Sequence, residues 1–528
     1  MSGEAESILK KTDMERITAS TSIAEILKRH PTARQIFDQH GLKGCGGEHG
    51  PAETLGFFAR VHQVDLDGLL CDLNREIEKP APQGYEYHET LADTIYRRFF
   101  KAGIAIALTL GAFWGAVSLL QISLGKDLLQ PRLIPAIHAH AHAMIFGWVG
   151  LLVMGFAYQS FPRFKYTTLW RPSLANLTFY LMVSGIAARV AAEMLHRGPA
   201  AMGLGALSAS SEFAAIFLFV VIILKTAGRS MEPHNPYEKF IFAALFWFLA
   251  AAVFSAVFFF AQATAANESQ LVYRIALLDL PLRDVQLLGF AVLIIAGVSQ
   301  RFVPVVYGLG RPRHDRQRAI FWLMNSSLLL DVVSYVALFA TGNPLFALTL
   351  EIANLLATVW GVMLVRQLRI FTRPAESDRS WKFVRAAYVW LLIALAMMPL
   401  TPLYGAVMHQ AFSHAWWGAH LHALTVGFIS LMIIGVASRV VPILAGIDSN
   451  QITSLWGPFI LLNLGCAGRV SLQILTDFYP GASYALIGLT GFMELVGLAW
   501  WGVGLWRIMN LSIARGTRSL RMPALGSA

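Results

Sequence analysis

Residues 420–442, HLHALTVGFISLMIIGVASRVVP, give the strongest indication of the architecture, because related versions of this segment occur at two other places in the chain. Residues 140–162 read HAHAMIFGWVGLLVMGFAYQSFP, and residues 282–304 read LRDVQLLGFAVLIIAGVSQRFVP. Aligning the three closing prolines also aligns two glycines in each copy without a gap, at offsets of 142 and 138 residues. Such regular self-similarity indicates an architecture built from related units.

Composition indicates a membrane protein, since 56% of the 528 residues are hydrophobic and only 14% are charged. Twelve apolar runs are each long enough for the roughly 20 residues that a helix needs to cross a bilayer. Four runs fall in each interval between repeats, and an even number gives every repeat the same orientation. We therefore expect an all-α fold with twelve transmembrane helices in three parallel four-helix repeats. The runs lie near 99–124, 136–160, 173–195, 203–226, 239–263, 280–306, 319–341, 345–366, 383–408, 417–444, 453–475 and 483–507.

The positive charge of the chain, +10 at neutral pH, concentrates in the loops after even-numbered runs. Lys and Arg collect on the cytoplasmic side of membrane proteins, so we expect both termini in the cytoplasm and a bacterial-type inner (plasma) membrane. The bilayer, and not a nucleic acid, is the partner that this charge distribution predicts. The polar N-terminus does not resemble a signal peptide.

The histidines occupy related positions in the repeats. Two residues on a helix are about 200° apart, so neighbouring histidines of one helix face different inter-helix spaces. Threefold symmetry then predicts that His422 faces His140, a pair suited to a haem with two histidine ligands, and that His420 faces Asp284. The residues 22 and 20 positions before the prolines are His140 and His142, Leu282 and Asp284, and His420 and His422.

The twelve runs with H-x-H opening the tenth resemble subunit I of the haem–copper oxidases, and are most similar to cbb-type oxidases and nitric oxide reductases. The strings HAHAMIFGW and HLHALTVG are also similar to NnrS-like membrane proteins, which are associated with nitric oxide and described as haem- and copper-containing. The resemblance implies His140 and His422 as ligands of a low-spin haem and His420 as the ligand of a high-spin haem. It implies one or two haem b groups.

The sequence departs from the oxidase pattern at the second active-site metal. The oxidases use histidines there, whereas this chain has Asp284 in the sixth run and no histidine in the seventh. A lone carboxylate is a poor copper ligand, so copper or non-haem iron has little support. His142 and Asp284 are further candidates for contacting the cofactor or a metal, and Arg283 for binding haem propionates.

The polar N-terminal region predicts a separate domain. Its motif HGLKGCGG, with Cys45, resembles the small helical domain of ScdA-type iron-centre repair proteins and of a hybrid-cluster-associated redox family. That resemblance implies a redox role for Cys45, and we expect its thiol to be accessible. The predicted divisions are a cytoplasmic thiol domain at 1–85, a linker at 86–95, the membrane domain at 96–515 and a tail at 516–528.

These observations predict a haem-binding membrane protein that binds or responds to nitric oxide, with dioxygen as a second diatomic ligand. Two alternatives stay open. One is a catalytic terminal oxidase or nitric oxide reductase, and the other is a transporter without a cofactor. Whether the protein is an enzyme, and what donates electrons to it, are left open by the sequence.

Overall fold

The computed structural model describes residues 16–42, 45–47, 50–77, 89–126, 130, 133–375, 378–447 and 452–519. Throughout these segments the regular elements are helices, and the only bridge between extended residues joins Ser22 to Thr54. The predicted all-α fold is confirmed.

Four short helices form the N-terminal domain around a small apolar core. Leu55 and Phe58 of the third helix are buried in it, together with Phe37 of the second. The third helix begins where the Thr54 hydroxyl accepts a hydrogen bond from Phe57 N, and it ends at Gln63 in the left-handed conformation. The helices are α1 (Ile23–Arg29), α2 (Arg34–Gln39), α3 (Leu55–His62) and α4 (Leu66–Ile77).

Eleven further helices are long and apolar enough to cross a membrane, and a bent pair makes twelve when it counts as one span. This agrees with the twelve predicted spans. The pair, α13 and α14, bends by 59°. The helices are α5 (Leu91–Ser123), α6 (Ile134–Phe164), α7 (Pro172–Leu195), α8 (Pro199–Ala227), α9 (Pro236–Ala263), α10 (Glu268–Val306), α11 (His314–Thr341), α12 (Pro344–Gln367), α13 (Trp381–Met397), α14 (Thr401–Met408), α15 (His414–Leu444), α16 (Trp456–Leu475) and α17 (Pro480–Ser519).

The three helices that carry the repeated stretch, α6, α10 and α15, form the centre of the membrane domain. The apolar membrane-crossing stretches of these three helices are 72%, 83% and 72% buried. The corresponding stretches of the other long helices are only 28–44% buried. Each central helix contains a π-helical segment at the same distance from its closing proline. These segments are Ala143–Gly150, Val285–Val292 and Ala423–Ser430. The structure therefore repeats the sequence pattern down to a local backbone distortion.

The aligned glycines let an outer helix approach each central helix. A Cβ on Gly155, Gly297 or Gly435 would lie 2.7, 2.8 or 3.1 Å from the Cβ of a phenylalanine on the helix before it in the repeat. A methyl group cannot fit at the first two of these distances without movement of the helices. The phenylalanines are Phe99 on α5, Phe240 on α9 and Phe383 on α13.

Two predicted domain boundaries need correction. Helix α5 begins at Leu91, inside the predicted linker of 86–95, because Thr90 N donates to the Asp93 carboxylate at 2.9 Å and caps the helix. Helix α17 continues to Ser519, past the predicted end of the membrane domain at 515. The remaining predicted linker positions 86–88, and residues 520–528 of the predicted tail, lie outside the described residues.

The N-terminal domain packs on one end of the membrane domain, here named the domain end. Glu53 forms a 2.7 Å ion pair with Arg439 of α15, and Arg301 of α10 donates to the Val61 carbonyl at 3.1 Å. Both arginines precede the closing proline of their helix. The histidines begin the repeated stretch, so they lie toward the opposite end, named the histidine end.

Candidate functional site

His140 and His422 belong to a first site, named site A, in which both rings are held in the same way. His140 Nδ1 lies 3.0 Å from the Gly111 carbonyl oxygen, and His422 Nδ1 lies 2.8 Å from that of Gly418. A carbonyl only accepts hydrogen bonds, so Nδ1 carries the proton and Nε2 keeps its lone pair. This arrangement is typical of histidines that ligate a metal through Nε2.

The two histidines of site A lie near each other. His140 and His422 are only half-buried, although the central helices around them are largely buried. His140 and Arg469 are both electrostatic neighbours of His422. A Cβ on Gly115 would lie 3.1 Å from His140 Cε1, so the absence of a side chain at this glycine lets the imidazole pack against α5. The two predicted ligands thus lie in one neighbourhood.

Two charged side chains of site A each have one buried atom without a hydrogen-bond partner among the described residues. Arg469 of α16 is 9% exposed, and its Nε has no partner among the described residues. The buried Oε1 of Glu494 in α17 also has no hydrogen-bond partner within the described part of the chain. An unmet hydrogen-bonding group in a buried position is costly, so it indicates a missing partner. A guanidinium group is well suited to a carboxylate partner.

His420 belongs to a second site, named site B, on the other side of α15. Its Nδ1 lies 3.0 Å from the Ala394 carbonyl oxygen, so Nε2 is again free, and its ring stacks on Trp417. Asp284 of α10 lies close to Asp331 of α11, and the two carboxyl groups are electrostatic neighbours. His420, Asp284 and Asp331 are only 3–4% exposed and are therefore more deeply buried than the half-buried His140 and His422. That His420 faces Asp284 stays a prediction.

His142 belongs to a third site, named site C, where the charged groups pair with each other. His142 Nε2 lies 2.7 Å from Glu212 Oε1, and the hydroxyl of Ser255 lies 3.5 Å from its Nδ1. Arg189 Nε forms a 2.9 Å ion pair with Glu193. Both ring nitrogens of His142 are therefore occupied by protein groups, and this histidine is not available as a metal ligand without rearrangement.

The three sites are related by the repeat. The offsets of 142 and 138 residues that align the prolines also relate Arg189, Asp331 and Arg469 on the third helix of each unit. These three residues were not among the candidates taken from the sequence, although the gapless alignment of the repeats reaches them when it is continued into the next helix. In site C the arginine is paired, whereas in site A the equivalent arginine keeps an unpaired Nε.

Arg283, predicted to bind propionates, is already engaged. It forms a 3.0 Å ion pair with Asp279, and its Nη1 donates to Gln286 Oε1 at 3.0 Å. It is an electrostatic neighbour of His140, although Arg469 has the unmet donor. Within the described residues, the structure contains no cluster of three or more His, Cys, Asp or Glu side chains that could hold a metal ion.

Cys45 differs from expectation, because its side chain is buried at 8% exposure instead of accessible. Burial raises the pKa of its thiol to about 11, so the unreactive protonated form dominates near neutral pH. Docking explains the difference, since Gly46 and Gly50 beside it pack on Gly446 at the domain end. Cys71, by contrast, is exposed. The redox role of Cys45 stays a prediction.

Comparisons with known proteins divide the chain at the same place as the structure. Residues 17–70 match DUF1858, a domain of unknown function, and residues 91–511 match the NnrS protein family. No curated protein matches the chain. The NnrS match runs from the first residue of α5 into α17 and includes His140, His420 and His422. The chain therefore belongs to the NnrS family of membrane proteins.

Proposed function

We propose that this NnrS-family protein binds haem b in the membrane and responds to nitric oxide, with both termini on the cytoplasmic side of a bacterial-type inner membrane. The observation that carries the proposal is the common state of His140, His420 and His422. Each imidazole is oriented by a backbone carbonyl on Nδ1 and keeps Nε2 free. Three such histidines on two central helices are unexpected in a membrane interior unless they have a function.

Site A has the residues that a haem with two histidine ligands needs. His140 and His422 would bind the iron through Nε2, and Arg469 would pair with a propionate through its unmet donor. When bound, the iron supplies a redox centre that can also bind nitric oxide.

Site B would hold a second haem on His420, the high-spin haem of the predicted pair. If His420 faces Asp284 as the repeat predicts, such a group would lie beside the buried Asp284 and its neighbour Asp331. His420 would hold this second haem through its free Nε2, and the haem iron would supply the site for nitric oxide. In site A, His140 and His422 would both be iron ligands.

A catalytic nitric oxide reductase is the second candidate, and the Asp284–Asp331 neighbourhood favours it. Nitric oxide reduction consumes protons, and two buried carboxyl groups side by side cannot both be ionised at low cost. Such a pair retains a proton that it can deliver. The reductase needs sustained turnover with an electron donor, which a gas-responsive haem protein does not show.

The test is an anaerobic titration of the purified, haem-supplied protein with nitric oxide, followed by optical spectroscopy. We expect a haem b spectrum, a nitrosyl shift, and no sustained consumption of nitric oxide or dioxygen with an artificial donor. His420→Ala should lower the haem content from two to one if site B is filled. His142→Gln is the matched control and should leave the haem content unchanged. A colourless protein would contradict the proposal and favour the transporter, and rapid turnover would favour the reductase.

A further inference from the structure

An internal cavity of about 90 Å³ lies where the three central helices meet, between the histidines and the domain end. Each central helix contributes the same four repeat positions to its wall. One of these positions carries small residues in all three repeats, namely Ala157, Ser299 and Ala437. Larger side chains at that level would fill the space, so this ring of small residues is what keeps the cavity open.

The wall is apolar and unsuited to water. Ser299 provides the only polar side chain among the lining residues, and the rest are Leu, Ile, Val, Met, Phe and Ala. A buried water needs two to four polar partners, and apolar cavities of about 150 Å³ stay dry and bind xenon or benzene. The chemistry of the wall therefore favours a small apolar guest over water.

The size and burial of the cavity also argue against a lipid chain. Its wall residues on the central helices are buried or half-buried, and Ile294, Met432 and Ala437 are only 3–5% exposed. A second, larger groove between α8, α9 and α10 is lined by Val253 and Val257, both about half exposed to the bilayer. That groove suits an acyl chain, whereas the internal cavity suits a diatomic molecule.

We propose that this cavity is a binding site for apolar diatomic gas, nitric oxide above all, and that it stores ligand for the histidine sites. It begins about 15 Å from the histidines along the central helices, at 1.5 Å per residue. The π-helical segments of the three central helices occupy the turns between the cavity and the histidines. Such segments occur frequently at functional sites. The storage role rests on the proposed haem function, but occupancy of the cavity by gas does not.

Xenon binding to the full-length protein in lipid nanodiscs, followed by xenon NMR and by anomalous scattering from pressurised crystals, tests the cavity directly. We expect xenon beside Ala157, Ser299 and Ala437 in the unaltered protein and its loss in Ala437→Leu. Ala157→Leu fills the same space from another helix and serves as the second variant in case one fails to fold. Ala187→Leu, the same change at an exposed position of α7, should keep the xenon site.

Carbon monoxide rebinding after photolysis then tests storage. We expect a several-fold slower association in the two filled variants, with an unchanged haem spectrum, and no change in Ala187→Leu. Absence of xenon from the unaltered protein, or detergent or lipid density in the cavity, would overturn the gas site even if haem is present. Xenon binding without any effect of filling on association would overturn the storage role. A protein that binds xenon but no haem would refute the proposed function alone.

Discussion

Arg469 and Arg189 occupy equivalent positions in two repeats, but they differ in their hydrogen-bond partners. Arg189 is satisfied by Glu193 and by the Ser255 carbonyl, at 2.9 and 3.2 Å. Arg469 has Glu494 only as an electrostatic neighbour, and its Nε lacks a partner within the described residues. The same residue type at the same repeat position is therefore structural in one site and available to a ligand in the other.

Arg469→Gln should weaken haem binding, because it removes a charge-assisted hydrogen bond to a propionate. Such bonds contribute about 1.5–3 kcal/mol, or roughly 10- to 100-fold in affinity. Haem titration of the haem-free protein measures this loss. Arg283→Gln is the matched control, since that arginine is held by Asp279 and should matter less. A larger loss with Arg283→Gln than with Arg469→Gln would restore the sequence-based assignment.

At this scale the sequence predicted the candidate histidines but not their hydrogen bonds. The positions of His140, His420 and His422 follow from a two-residue spacing on a helix, which needs no tertiary information. The pairing of His142 with Glu212 depends on where α8 lies along the central helix α6. A repeat argument confined to the central helices does not give the position of α8. The same limit led to Arg283 rather than Arg469 as the propionate candidate.

At the scale of elements, the repeat predicted the central helices because its glycines and prolines serve the same packing in each copy. Gly155, Gly297 and Gly435 each admit a phenylalanine of the neighbouring helix. The π-helical segments were not predicted, since no residue type marks them. The docking of α3 on the ends of α10 and α15 was not predicted either, because polar side chains such as Glu53 also suit exposed positions.

The contact of α3 with the membrane domain should depend on pH in two opposite ways. Burial and the nearby Arg301, Arg163 and His40 lower the pKa of His62 to about 3, so docking excludes its protonated form. Burial, together with Asp378, raises the pKa of Glu53 to about 7, against the effects of Arg439 and Arg60. His62 therefore weakens docking as the pH falls below its ordinary pKa of 6.5. Glu53 weakens docking as the pH rises from 4.5 to about 7.

Single variants should separate these two effects. In Glu53→Gln, His62 is the one of these two groups that still titrates. The hydrogen-exchange rate of α3, corrected for its intrinsic pH dependence, should therefore rise as the pH falls below 6.5. In His62→Gln only Glu53 titrates, and exchange should rise as the pH increases toward 7. The unaltered protein should show a flatter profile, since the two effects oppose each other. The same pH dependence in both variants would show that neither group controls docking.

In the molecule as a whole, the N-terminal domain packs against the domain end of the membrane domain. This interface, here named the joint, buries Cys45. Arg439 lies at the centre of this joint, with ion pairs to Glu53 and Asp378 at 2.7 and 3.0 Å. The sequence predicted the existence of both parts, because their compositions differ. It did not predict that they pack together, and so it predicted an accessible thiol where the structure has a buried one.

Alkylation of the intact protein should therefore label Cys71 well before Cys45. Cys71 is exposed, whereas burial raises the Cys45 pKa to about 11 and leaves little thiolate near neutral pH. Arg439→Ala should speed labelling of Cys45 by loosening the joint, with Cys71 as the internal control. Peptide mass spectrometry over a time course measures both rates. Equal rates in the unaltered protein would mean that the joint is open.

His140 and His422 are electrostatic neighbours, and we propose that they bind the same haem. The reduced optical spectrum is the decisive measurement of this pairing. Each of His140→Ala and His422→Ala, purified with haem supplied, should lose the same sharp α band of a six-coordinate low-spin haem b. His138→Ala is the control, because that histidine is bonded to Gln262 at 2.8 Å and should leave the band intact. A band that survives in either His140→Ala or His422→Ala would contradict the pairing.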